Sequence, residues 1–137
     1  MALQYSVGVN NARLDQVETT IGTNVGLLIY SGLPPATTDA APTGTLLVAM
    51  SLPADWMAAA SSASKAKSGT WSATAVGTGT AGYFRICNGS PTNVGQIQGL
   101  IETTGGSPTG DMGLHNTSIS SGQTVTVSTF TITAGNQ

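Results

Sequence analysis

Alternating apolar and polar positions cover much of the chain and predict β-strands. Residues 45–52 (TLLVAMSL) alternate between larger apolar and smaller side chains, and residues 25–31 (VGLLIYS) form an apolar run that ends at Gly32. Strand side chains point to opposite faces of a sheet with a period of two residues. We therefore predict strands over both segments. Further strands are predicted at residues 94–102 and 111–116, bounded by turn-rich sequence at 90–93 and 105–110.

The densest apolar pattern lies at residues 69–89, GTWSATAVGTGTAGYFRICNG. Two strand-like runs, residues 70–76 and 81–87, flank the tetrad GTGT at 77–80. Glycines between two runs of β-forming residues are typical of a hairpin turn. The segment also holds three of the seven aromatic residues. We therefore predict a central β-hairpin, with Trp71 in the core.

The last predicted strand, residues 123–133, changes parity along its length. Val125 and Val127 share one face, whereas Phe130 and Ile132 share the other. A shift of one residue exchanges the two faces of a strand. The pattern therefore predicts a bulge or sharp bend near Ser128 and Thr129.

One segment near the start has a helical period instead. Asn10 or Asn11 can cap a helix, and Gly22 is placed to end it, which gives about ten residues. Apolar residues between them recur at intervals of three and four, as on one face of an α-helix: Leu14, Val17 and Ile21. Residues 1–9 alternate before this helix and predict an N-terminal arm, either an ordinary edge strand or a strand donated to a neighbouring molecule.

The segment after the second predicted strand is poor in apolar residues. Residues 53–60 are predicted to form one or two helical turns beginning at Pro53, and residues 61–68 a flexible loop that carries Lys65 and Lys67. Trp56 has two interpretations: it closes one end of the core, or it anchors a partner surface.

Together these signals predict an all-β protein, a jelly-roll-like β-sandwich of about seven or eight strands with one short N-terminal helix. A length of 137 residues suits one domain, placed at residues 10–137 behind the arm at residues 1–9.

Charge is scarce: charged residues make up 7% of the chain and the formal net charge is −2, against about 25% charged residues in ordinary soluble domains. A weakly charged surface suits a protein that packs against other proteins. The few basic residues are scattered, which argues against nucleic acid binding. We expect no membrane span and no signal peptide. Cys87, the single cysteine, is expected to be a free, partly buried thiol in a protein made in a reducing cytoplasm.

Candidate catalytic and metal-binding groups are few. His115 and Asp111 are expected on the solvent face of one strand, without a nucleophile elbow nearby. Zinc ligands are lacking, although a calcium site built from loop carboxylates and carbonyl groups stays open. We therefore predict no enzymatic activity and no cofactor.

Three sequence segments carry a resemblance to known proteins: GTLL at residues 44–47, GTAGYFRI at 79–86 and SGQTVTVSTFT at 121–131. From about Arg13 to its end, the chain resembles a family of small proteins encoded among the virion genes of tailed bacteriophages. The resemblance implies a capsid cement or decoration protein, made in the host cytoplasm, that binds the major capsid protein on the outer surface of the shell as a homodimer or homotrimer.

Two alternatives remain, a phage tail or head–tail connector component and, from another class, a carbohydrate-binding module with an aromatic platform. For the cement hypothesis, we expect the partner contacts in the N-terminal arm and in the segment around the two lysines. The predicted contact residues are Leu3, Tyr5, Val7, Trp56, Met57, Lys65 and Lys67.

Overall fold

The computed structural model describes residues 3–89, 95–103 and 111–134. These residues form one helix followed by nine strands, which confirms the all-β class with a single N-terminal helix. The predicted turn at 90–93 and the predicted loop at 105–110 lie outside the described residues. The elements are α1 (Val7–Ile21), β1 (Val25–Ser31), β2 (Leu46–Ser51), β3 (Ser64–Ala66), β4 (Ser72–Thr74), β5 (Gly79–Asn88), β6 (Ile97–Thr103), β7 (Met112–Leu114), β8 (Ser118–Ile119) and β9 (Thr124–Thr133).

All the described strands belong to one curled sheet. Its order is β2-β1-β5-β6-β7-β9-β3, with β4 paired to β9 and β8 paired to β5. The pairs are antiparallel except β6 with β7. The N–H groups of Val76 and Gly77 donate to the Leu47 carbonyl at 2.8 and 3.2 Å, so the segment after β4 returns to β2. The two layers expected of a sandwich are therefore two parts of the same sheet.

The main core lies inside this curl. Phe84 of β5 meets Phe130 of β9 edge to face, with ring centroids 5.5 Å apart, although β6 and β7 separate their strands in the sheet. Trp71 packs beside Phe130 at 5.6 Å and beside Trp56 at 6.2 Å. Tilted and edge-to-face aromatic pairs are the favoured arrangements. The prediction that Trp71 is a core residue is confirmed.

A second, smaller apolar cluster lies on the outer face of β1 and β5. Tyr30 and Tyr83 stack there with centroids 5.1 Å apart, next to buried Cys87. The loop between β1 and β2 covers this cluster. The Tyr83 hydroxyl accepts from the Thr43 N–H at 2.9 Å and donates to the Thr43 carbonyl at 2.7 Å. Because β5 is buried on both faces, both parities of its sequence are rich in large side chains.

Several local predictions are confirmed. β1 has the predicted bounds. Gly22 ends α1 with φ of 95° and donates its N–H to the Glu18 carbonyl at 2.8 Å, a conformation that glycine adopts without steric penalty. In β9, Thr129 faces Gly113 while Val127 faces Leu114. Ser128 between them is therefore the extra residue of the predicted bulge.

The predicted hairpin at residues 69–89 is wrong. β4 pairs with β9, whereas β5 pairs with β1, β6 and β8. The tetrad at residues 77–80 does not reverse the chain between partners. Gly77 instead passes close to β2, where a Cβ atom would lie 2.4 Å from the Leu46 carbonyl oxygen. Gly77 permits a close crossing of two backbones, and a glycine at such a crossing gives the same sequence signal as a glycine in a turn.

Three further predictions about local structure are corrected. Residues 1–9 do not form a strand in their described part, because α1 begins at Val7 with Ser6 as its N-cap and is 15 residues long. Residues 53–60, all described, are not helical. Residues 61–68 contain β3 instead of a flexible loop, since Met57 bridges Lys67 and β3 pairs with β9.

Gly82→Ala tests the close approach of β5 to the chain segment that follows β1. A Cβ atom at Gly82 would lie 1.9 Å from the Gly32 carbonyl oxygen, so the backbone must shift. We expect the free energy of unfolding to fall by about 3 kcal/mol, measured by urea denaturation with tryptophan fluorescence. Gly8→Ala is the control, because its Cβ meets only Ser6 Oγ, at 4.0 Å, and alanine favours a helix. Equal stability of the two variants would contradict this assignment.

Candidate interaction surface

The N-terminal end of the chain presents large apolar side chains to solvent. Leu3 is 70% exposed, Tyr5 40%, Val7 57% and Val9 45%. We call these four side chains the N-terminal apolar patch. Leu3 and Tyr5 precede α1, and the two valines lie in its first turn. Exposed apolar side chains that are grouped in one segment are a common mark of a protein interaction site.

Local contacts hold this patch against the helix. The Ser6 hydroxyl caps α1 by accepting from the Val9 N–H at 3.3 Å. The Arg13 guanidinium lies over the Tyr5 ring, 4.9 Å from its centroid. Arg13 in turn donates to the Asn10 carboxamide oxygen at 3.0 Å. The Tyr5 ring and the first turn of α1 are therefore held in place by contacts within this segment, which reduces the entropy that they lose on binding.

Other exposed apolar side chains are isolated. Among the described residues, Leu33, Val76 and Leu100 are large, apolar and exposed. Leu33 lies in the loop after β1, Val76 follows β4, and Leu100 lies on β6. Single apolar residues of this kind are normal on protein surfaces. The N-terminal apolar patch differs because four such residues lie within one short segment.

Another face of α1 carries polar groups that contact the rest of the protein. Asn11, Asp15 and Glu18 lie on one stripe of the helix, since intervals of four and three residues return to the same side. Their side-chain oxygens accept from backbone N–H groups spaced three residues apart. The donors are Ala63 and Ala60, both at 2.9 Å, and Met57 at 3.3 Å.

The segment from Trp56 to Ala63 therefore lies antiparallel along α1. Its first residue contacts the end of the helix, where the Trp56 indole N–H donates to the Gly22 carbonyl at 3.0 Å. We call this set of contacts the polar dock. It joins α1 and its C-cap, from Asn11 to Gly22, to the segment from Trp56 to Lys65.

Lys65 of β3 lies at the centre of the polar dock and is only 2% exposed. Its ammonium group is 2.7 Å from Asp15 Oδ1 and 2.8 Å from Glu18 Oε2, and it donates to the Ala58 carbonyl at 2.8 Å. These three acceptors match the three donors of an ammonium group. The buried charge is thus fully paired, as burial in a protein requires.

Lys65, Asp15 and Glu18 form an ion-pair triad, and the interactions within it favour the charged forms of Lys65 and Asp15. Burial acts to lower the pKa of Lys65, but the hydrogen bonds to Asp15 and Glu18 outweigh it and raise that pKa above its ordinary value. The hydrogen bonds from Lys65 and from the Ala60 N–H lower the pKa of Asp15, although its side chain is 47% exposed. The ion pair is therefore stable over a wide range of pH.

Beside the triad is a cleft of about 730 Å³ that Asp15, Glu18, Asp55 and Met57 help to line. Within residues 3–89, 95–103 and 111–134, no group of three His, Cys, Asp or Glu side chains is arranged to hold a metal ion. Asp111 and His115 are both exposed, as predicted. Asp111 accepts from the Leu100 N–H at 2.9 Å, which is a structural contact.

The predicted contact residues divide into three groups by exposure. Leu3, Tyr5 and Val7 are exposed, so they are available to a partner, and their contact role stays a prediction. Lys67 is half-buried and donates to the Gly69 carbonyl at 2.9 Å. The prediction that the remaining three form a partner surface conflicts with their burial in the core and the polar dock: Trp56, Met57 and Lys65.

In the described part of the chain, no helix is both long enough and apolar enough to span a membrane. Comparison with protein-family models, curated proteins and solved structures finds no match. The described residues define an all-β fold with one helix, and an apolar patch lies at the N-terminal end of that helix.

Ser6→Ala tests whether the helix cap holds the patch in place. Loss of the Ser6 Oγ contact to Val9 N–H removes an N-cap, so we expect about 1 kcal/mol lower stability of the first helical turn. Hydrogen exchange of the amides at the start of α1 should become faster, while the amides of β5 keep their protection. Ser6→Asp is the matched control, because aspartate also caps helices and should preserve the exchange rates. Unchanged exchange in Ser6→Ala would contradict the role of the cap.

Proposed function

We propose that this protein is a non-enzymatic structural component of a tailed-bacteriophage virion, a cement or decoration protein that binds the major capsid protein. The N-terminal apolar patch is the observation that carries the proposal. Exposed apolar side chains on a weakly charged protein are suited to binding another protein surface. The sequence segments that resemble small virion proteins support the same assignment.

The physical properties of the chain suit a shell with many copies. Ten charged residues in 137 give little repulsion between neighbouring copies at short distance. A homodimer or homotrimer would present two or three patches, and multivalent attachment strengthens binding without additional contacts in each patch. In this proposal the protein is made in the host cytoplasm and acts on the outer surface of the capsid.

A tail or head–tail connector component is the alternative within the same class. Copy number separates the two, because a cement protein is present in hundreds of copies per virion and a connector in a few or about a dozen. The carbohydrate-binding module receives less support. All seven aromatic residues are described, and six of them are buried; Tyr5 alone does not make an aromatic platform.

Serine substitutions in the patch test the proposed attachment. In a variant with Leu3→Ser, Tyr5→Ser and Val7→Ser, each patch loses apolar area that a partner would bury, roughly 1–2 kcal/mol per side chain. We expect at least a tenfold weaker affinity for capsid shells assembled from the major capsid protein of the same phage. Co-sedimentation with purified shells and counting of bound copies measure this effect.

The control variant carries Leu33→Ser and Val76→Ser, because these side chains are 79% and 61% exposed but isolated from the patch. It should bind shells as the unmodified protein does. Equal binding by the patch variant and the control would reject the patch as the attachment site. If the unmodified protein sediments with tails instead of shells, the cement proposal fails and the alternative replaces it.

A further inference from the structure

We propose that α1 is a pH-sensitive latch, which the Lys65 triad holds on the sheet and which detaches in acid while the sheet stays folded. The proposal concerns the attachment of the helix and does not depend on the identity of the partner. Helix α1 is attached to the rest of the protein by few buried side chains. Of the fifteen residues of α1, all described, three are buried: Asn10, Leu14 and Ile21.

Polar contacts therefore contribute much of the attachment of α1. Ile21 belongs to the main core with partly buried Val17 packed against it, and Leu14 is also buried on this side of the helix. The neighbouring stripe, Asn11, Asp15 and Glu18, binds the segment opposite through the polar dock. A helix held in this way depends on the protonation state of its carboxylates more than a helix held by a wide apolar face.

The charged groups around Lys65 come from two of the elements packed against it. Helix α1 supplies Asp15 and Glu18, and the segment before β3 supplies Asp55 at the rim of the same cleft. The sequence of β9, which pairs with β3, contains no charged residue, and Lys67 lies two residues beyond Lys65. Protonation of Asp15 therefore removes one of the two carboxylates that pair with the buried ammonium group, which is unfavourable for a buried charge.

The direction of the pH effect follows from the folded-state shifts. The pKa of Asp15 lies below its ordinary value of 3.8, so its contribution is complete above that pH and is lost as the pH falls below it. The pKa of Lys65 lies above its ordinary value of 10.5, so its contribution is complete below that pH and is lost as the pH rises beyond it. The latch is closed between these limits and opens first in acid below about pH 4.

The sheet lacks this dependence. Its main core consists of apolar side chains, most of them from β1, β2, β5, β7 and β9, together with Trp56, Trp71 and Ile21 of α1, and its strands are joined by backbone hydrogen bonds. Neither changes protonation in mild acid. Detachment of α1 would expose Val17 and Ile21 together with the Trp56 indole, while Trp71 would stay enclosed by the sheet.

The two tryptophans provide the test. Trp56 donates to Gly22 at the end of α1, whereas Trp71 donates to Ser68 and packs on Phe130. Each is isolated by a phenylalanine substitution of the other, Trp71→Phe or Trp56→Phe. In titrations from pH 7 to about 2.5, Trp56 emission should shift to longer wavelength and helical circular dichroism should fall before Trp71 emission changes. A single coincident transition of both tryptophans would overturn the proposal.

Two charge variants identify the group responsible. Lys65→Met removes the buried cation but keeps an apolar stem, so the Trp56 transition should move to lower pH by at least about one unit. Asp15→Asn removes one anion and should move the transition to higher pH. Asp39→Asn is the matched control, because Asp39 is exposed in the loop after β1, and it should leave the midpoint unchanged. Wild-type midpoints in both Lys65→Met and Asp15→Asn would reject the latch.

Discussion

A buried ammonium group needs acceptors on every side, and this requirement determines where the helix of this protein lies. Lys65 is fixed to the sheet by the pairing of β3 with β9. Its three acceptors come from α1 and from Ala58, so both must reach the same point. The rest of the polar dock follows from this placement, because the stripe on α1 then faces the N–H groups of the extended segment. Removing one partner of such a group is far more destabilising than replacing the whole set.

Patterns within a few residues predicted individual elements well, but they did not predict which distant strands pair. The apolar run of β1, the glycine that ends α1 and the parity change at Ser128 each depend on neighbouring residues, and all three are confirmed. The partner of β4 is β9, about fifty residues later, and no local pattern encodes that choice. Residues 77–80 match the pattern of a turn because a close backbone crossing, like a turn, favours glycine.

The same contrast between local signals and long-range contacts holds for the N-terminal apolar patch and the polar dock. Leu3, Tyr5 and Val7 are exposed, but their alternation belongs to a capped helix start and not to a strand. The burial of Lys65 was missed because a lysine among small polar residues normally lies in solvent. A usable signal was present in α1. Its apolar stripe is narrow, and the carboxylates beside it recur with helical spacing, a pattern that suits packing against N–H and ammonium donors as well as exposure to solvent.

The N-terminal apolar patch and the polar dock are physically connected because both belong to α1. Two turns of helix separate Val7 from Asp15, and backbone hydrogen bonds make the helix one rigid element between them. A partner that binds the patch and also contacts the sheet would bind the docked helix more tightly than the detached helix, and it would then stabilise the contacts of Lys65. By reciprocity, acid that weakens the triad would weaken binding of such a partner. This coupling requires no change in the patch itself, since an apolar surface has no protonation state.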